Sequence, residues 1–149
     1  MNVKDNEIKG LLSKYKKIAV YGLSPDPEKP SHYVPLYMRQ QGWDIVGTYP
    51  KQHDVSGFEI FSKLRDVPPE HRKFLDVFRS SERISELVDE VLEVGGVDVL
   101  WLQLGITNSE AEKRAENAGI KVISNRCLII EHKTWFGNGE NAKYRKQND

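Results

Sequence analysis

The stretch "VYGLSPDPEKPSHYV" (residues 20–34) decides the fold. A hydrophobic run over 17–22 reaches a single glycine, Gly22, and continues through Leu23, Ser24 and three prolines to Ser31, where a helical pattern begins. A strand that exits through glycine into a helix resembles the phosphate-binding corner of a nucleotide-binding βαβ unit. The G-x-G-x-x-G fingerprint of a dinucleotide site is missing, so the corner raises the question of which nucleotide it suits.

Outward from this corner, short apolar runs recur about every 25 residues: 17–22, 43–49, 74–79, 98–104 and 121–125. Rich in Val, Ile and aromatics and without clean alternation, they read as strands buried on both faces. Helical patterns lie between them. In "SSERISELVDEVLEVGG" the residues Ile84, Leu87, Val88, Val91 and Leu92 form an apolar stripe closed by Gly95. Thr107 and Glu110 predict a capping box for a helix reaching about Ala118, and residues 32–41 a helix ending at Gly42. Ser31 would then be its N-cap. A further helix is predicted over about 5–13, and 57–67 adds a short edge strand and a helical turn.

Strand–helix alternation of this kind predicts an α/β domain with an open, doubly wound, mainly parallel sheet of five or six strands and helices on both faces. One domain over 1–136 is expected, followed by a polar tail, 137–149. With 43–49 and 74–79 on either side of the first strand, the winding reverses beside it. Gly22–Ser24, Tyr49-Pro50-Lys51 and Phe78-Arg79 then surround one crevice at the carboxyl ends of the strands.

Bulk properties narrow the function. The 149 residues carry 22 basic and 22 acidic side chains, so no basic field points to nucleic acid. Cys127 is the only cysteine, which excludes an internal disulfide and suits a cytoplasmic protein. "MNVKDNEIKG" has no apolar core of a signal peptide, and "VDVLWLQLGI" is too short to span a membrane. The four histidines and one cysteine show no metal-ligand spacing, and no P-loop or Gly-x-Ser-x-Gly elbow occurs.

Each singled-out residue has two readings. Gly22 fits contact with a pyrophosphate, or a strand-exit turn that merely needs glycine. Ser31 fits a phosphate site at a helix N-terminus, or only a cap. Where an NAD site places an acid, this chain has "TYPK"; Lys51 suits a phosphorylated ribose, or is a solvated surface lysine. Arg79 suits a phosphate or flanks a helix, and Phe78 stacks on a base or packs. Gln103, in an apolar strand, needs a hydrogen-bond partner from protein or ligand, whereas Trp101 reads as core. Cys127 is a packing residue or a reactive thiol.

The segments "IAVYGLSPDPEKPSHYV", "GWDIVGTYPK", "LDVFRSSE", "VLWLQLGITNSEA" and "AGIKVISNRCLIIEH", together spanning about residues 17–132, resemble the small stand-alone CoA-binding proteins of Rossmann type. These are related to the CoA-binding domain of the succinyl-CoA synthetase α subunit. The resemblance implies that Gly22, Leu23, Ser24 and Ser31 hold the pyrophosphate of coenzyme A, with Lys51 near the ADP phosphates or ribose. It implies that Phe78 and Arg79 flank the adenosine, and that Gln103, Gly105, Asn125, Arg126 and Cys127 approach the pantetheine side. The family more often has Val-Asn-Pro-Lys at the second corner; Thr48-Tyr49-Pro50-Lys51 lacks that asparagine. A single domain with no visible acid/base pair suits a CoA or acyl-CoA binding module more than an enzyme. An NAD(P)-responsive regulator and a thiol or disulfide enzyme using Cys127 are the alternatives. Protein partners and oligomeric state are not legible.

Overall fold

In the computed structural model, which describes residues 5–50, 55 and 57–137, six short strands form one parallel sheet. They are β1 (Lys17–Tyr21), β2 (Asp44–Thr48), β3 (Glu59–Phe61), β4 (Phe74–Val77), β5 (Val99–Leu102) and β6 (Lys121–Ile123). Their spatial order is β3-β2-β1-β4-β5-β6, so the winding reverses at β1, between β2 and β4. That is the doubly wound sheet the spacing predicts, with β3 as the expected edge strand, followed by a 3₁₀ turn at Leu64–Asp66.

The strands lack clean alternation because both faces are covered. Ile18, Val20, Phe74 and Trp101 face one core, closed by α1 (Asp5–Lys14), α2 (Pro30–Gln40) and α6 (Leu128–Phe136) through Ile8, Leu12, Val34, Met38, Leu128 and Trp135. Ala19, Leu75, Val77 and Leu100 face the other, closed by α4 (Ile84–Val94) and α5 (Ser109–Asn117). Each large apolar side chain buried in these layers contributes roughly 1.5–3 kcal/mol. Trp101 is fully buried and stacks on Phe74 with ring centroids 5.8 Å apart. A one-turn helix, α3 (Pro69–Arg72), leads into β4. No described helix is long and apolar enough to cross a membrane.

Several boundaries differ from the sequence reading. α2 begins at Pro30, whose fixed φ suits a first helical position, so Lys29 is the N-cap and Ser31 lies inside the first turn. The cap of α5 is Asn108, not Thr107: its Oδ1 accepts from the Ala111 N–H at 3.1 Å, and Glu112 Oε2 accepts from the Asn108 N–H at 2.7 Å. Glu110 instead pairs with Arg114 one turn on, at 3.0 Å. Leu92, counted in the apolar stripe of α4, is exposed, because the buried face narrows to Ile84, Leu87, Val88 and Val91. α6 is a helix that the apolar pattern of the sequence does not predict. In "LIIEHKTWF" Leu128 and Trp135 are buried while Ile130 is exposed, which blurs the helical stripe. Of the predicted tail, only Gly137 falls within the described residues.

Candidate functional site

The carboxyl ends of β1, β2, β3 and β4 open into a cleft of about 510 Å³. Seven residues singled out in the sequence line it: Gly22, Ser24, Ser31, Tyr49, Pro50, Phe78 and Arg79. Lys51, which belongs to the same corner in sequence, lies outside the described residues. Leu23 does not line the cleft. Its side chain is fully buried, and a Cβ on Gly47 of β2 would lie 2.7 Å from the Leu23 Cβ, so the leucine is locked into the core.

Gly22 has φ +94°, and a Cβ there would lie 2.8 Å from the Phe78 carbonyl oxygen. The close approach of the β1 and β4 exits therefore requires glycine by itself. The turn's donors are engaged within the protein. Gly22 and Leu23 N–H both donate to the Thr48 carbonyl at 3.0 and 3.1 Å, and Ser24 N–H donates to the Ser31 carbonyl at 3.1 Å. Ser24 Oγ accepts from Asp26 N–H at 3.0 Å. At the start of α2, His32 and Tyr33 donate to the Lys29 carbonyl. Ser31, half-buried at the cleft, keeps its N–H and its hydroxyl without a partner among the described residues. It stands where the helix dipole is positive.

Charge adds to this polarity. Lys29 and Lys63 stand at the rim and Arg79 inside the cleft, against one acid among the described residues, Glu90 of α4. Glu90 Oε1 accepts from the Tyr21 hydroxyl at 2.8 Å, and Arg79 lies over the Tyr21 ring at 5.6 Å. Burial and then the Glu90 hydrogen bond and charge push the Tyr21 phenol up to about 12, so Tyr21 remains a protonated donor that holds Glu90. The lining thus favours an anion, with Phe78 and Tyr49 supplying aromatic surface. Sequence reasoning missed Lys63, Tyr21 and Glu90. Lys63 follows β3 at the same sheet edge, so tracing that strand to its exit finds it. The Tyr21–Glu90 pair spans 69 residues and leaves no local signal.

The remaining singled-out residues gather at the ends of β5 and β6, apart from the cleft. Asn125, Arg126 and Cys127 line a second hollow. Asn125, at φ +60°, accepts through Oδ1 from the Gly105 N–H at 2.7 Å and so ties the two strand exits together. Gln103 is buried; its Oε1 accepts from the Leu128 N–H at 3.3 Å, so its partner is the first turn of α6. The Arg126 carbonyl accepts from the Trp101 indole at 2.8 Å. Cys127 is half-buried at the N-cap of α6. No group of three metal-ligating side chains occurs among the described residues.

Comparison with known proteins matches this fold. The chain is 33% identical over 126 residues to the uncharacterized protein YneT of Bacillus subtilis (strain 168), covering 85% of this chain and 92% of that one. A solved structure from Thermus thermophilus, cell-free ID.343, is 38% identical with a TM-score of 0.82, covering 90% of this chain and all of that one. Prb, the PH1109 protein redesigned for binding, superposes with a TM-score of 0.85 at 28% identity, covering 93% of this chain and 96% of that one. The CoA binding domain model matches residues 16–133, a span that includes all six strands and both clusters of singled-out residues. The match supports coenzyme A as the nucleotide ligand, and by it the chain belongs to the CoA binding domain family.

Proposed function

We propose that this protein holds coenzyme A or an acyl-CoA as a stand-alone binding module, a carrier or sensor, with the nucleotide end in the cleft at the β1 reversal. One observation carries the reading. Ser31, whose N–H and hydroxyl have no partner among the described residues, stands at the positive end of α2 and shares the cleft with Lys29, Lys63 and Arg79. Coenzyme A brings a pyrophosphate and a 3′-phosphate, and a helix N-terminus with nearby cations is the arrangement such anions require. Ser31 would donate to the pyrophosphate, and the cations would neutralise it and the 3′-phosphate. Phe78 and Tyr49 would offer faces to the adenine. Gly22 in this reading permits the turn and makes no contact of its own, since its donor already serves Thr48.

Isothermal titration with coenzyme A, 3′-dephospho-CoA and NADPH tests the proposal. Saturable binding of coenzyme A that weakens without the 3′-phosphate is the expected result. Binding of NADPH with none of coenzyme A refutes it and assigns the cations to a 2′-phosphate instead.

A further inference from the structure

Glu90 is the one acid among the described residues lining a cleft that otherwise presents Lys29, Lys63 and Arg79, and phosphate binding gives it no task. It is half-buried, midway along α4. Its Oε1 accepts from the Tyr21 hydroxyl at 2.8 Å, which fixes the carboxylate in place. Its Oε2 keeps exposed surface and has no hydrogen-bond or ion-pair partner among the described residues, although Arg79 lies over the Tyr21 ring. A tie between β1 and α4 needs only one acceptor oxygen, so the second is left for something else. A carboxylate set beside a phosphate repels it, so the position of Glu90 marks a part of the cleft where the ligand is uncharged.

Ser31 and Glu90 stand on opposite sides of that cleft. α2 packs on one face of the sheet and α4 on the other, and Tyr21 packs with the α4 layer. A ligand whose phosphates meet Ser31 and Lys29 therefore turns its other end toward α4. There the Tyr21 ring and the fully buried Leu64 give apolar wall around Glu90. An ionised carboxylate only accepts hydrogen bonds, so the group it takes is an N–H or O–H. In an adenine nucleotide the 6-amino group is the uncharged donor carried on a flat, apolar-faced ring. With Phe78 and Tyr49 at the faces of the base, Glu90 meets its edge. We propose that Glu90 is a specificity-determining residue whose Oε2 accepts the 6-amino N–H of adenine, and that Tyr21 is the residue that positions it. This inference rests on the nucleotide reading of the cleft.

The full-length chain is titrated with adenosine 3′,5′-bisphosphate and with the purine riboside 3′,5′-bisphosphate, which carries hydrogen in place of the 6-amino group. The second should bind about tenfold more weakly, the order expected for losing one hydrogen bond to a charged acceptor. Glu90→Leu, which removes the acceptor and keeps a good helix former, should bind the two alike. Tyr21→Phe, which releases the carboxylate, should shrink the same gap, a selectivity that a purely structural loss at Tyr21 leaves intact; it also decides the matter where Glu90→Leu fails to fold. Equal affinities in the wild type overturn the assignment while leaving the cleft reading intact, and so does a gap that both variants keep. The 2′-deoxy analogue of the adenosine bisphosphate tests the ribose hydroxyl as the donor. Weakening there, with none for the purine riboside, moves Glu90 to the sugar and overturns the reading of the base. Failure of both adenosine 3′,5′-bisphosphate and coenzyme A to bind overturns the cleft reading itself.

Discussion

Asp76 is a fully buried carboxyl in the sheet, and replacing it should become increasingly favourable relative to wild type as pH rises. It sits on β4 between Val20 of β1 and Trp101 of β5, with no exposure and neither carboxyl oxygen hydrogen-bonded among the described residues. Burial pushes its carboxyl well above the ordinary 3.8, so the folded protein holds the proton where the unfolded chain releases it. Stability changes with pH in proportion to the protons bound by the unfolded minus the folded state. Here that difference is negative, so this group costs stability as pH rises above the unfolded value, until the buried carboxyl ionises. The slope for one proton is about 1.4 kcal/mol per pH unit. Asp76→Asn keeps the shape and removes the proton. Its advantage over wild type should therefore widen by about 1.4 kcal/mol between pH 4.5 and 5.5, or roughly 3–6 °C in midpoint. Urea unfolding of both proteins across a pH series measures this. Taking the difference cancels every other titrating group, including His132, whose pKa burial and then Lys16 hold below its ordinary value. A difference that does not change with pH refutes the reasoning, because it means the folded carboxyl is ionised through a donor or water that reaches it.

Further expectations concern the cleft and the turns. Lys63→Glu should weaken coenzyme A binding about tenfold at low salt and less at high salt, as a rim charge does; an unchanged affinity in titration removes Lys63 from the phosphate end. Tyr21→Phe should also weaken binding, since it frees Glu90, now held at 2.8 Å, to oppose the phosphates, and the double variant with Glu90→Gln should recover it. Gly22→Ala and Gly42→Ala form a matched pair at φ +94° and +96°. Each should lose about 1–2 kcal/mol for the left-handed backbone. Gly22→Ala should lose more, because its Cβ meets the Phe78 carbonyl while Gly42 has nothing within 4 Å; equal losses by urea unfolding refute this. Asn108→Ala should cost about 1 kcal/mol through loss of the α5 cap.

The sheet was legible because each central strand is buried on both faces, and β4 and β5 have no exposed residue to break their apolar runs. The placement of β1 between β2 and β4 was a supposition in the sequence reading that the strand order bears out, and that order brings three distant corners to one cleft. Side-chain direction was not legible. Leu23 sits between two cleft residues in sequence, yet turns into the core against Gly47, because β2 leaves a space there that only the absent Cβ provides. Gln103 likewise read as a polar residue awaiting a partner, and the partner is the backbone of α6, a helix whose mixed exposure hid it.

The missing glycines of the opening corner have a physical account in the same terms. A dinucleotide fingerprint keeps its glycines so that the turn's backbone can approach a pyrophosphate. Here the Gly22 and Leu23 donors are spent on Thr48, and the Ser24 donor on Ser31, so this turn secures β1 to β2 and α2. Further glycines would offer a ligand no free N–H at those positions. The groups that could meet an anion lie one step along the chain and outward, at Ser31 on α2 and at Lys29, Lys63 and Arg79. On the proposed reading such a site would read phosphate charge through side chains on separate elements, so a capacity for a triply phosphorylated nucleotide like coenzyme A would be spread across the sheet edge and faint in any one stretch of sequence.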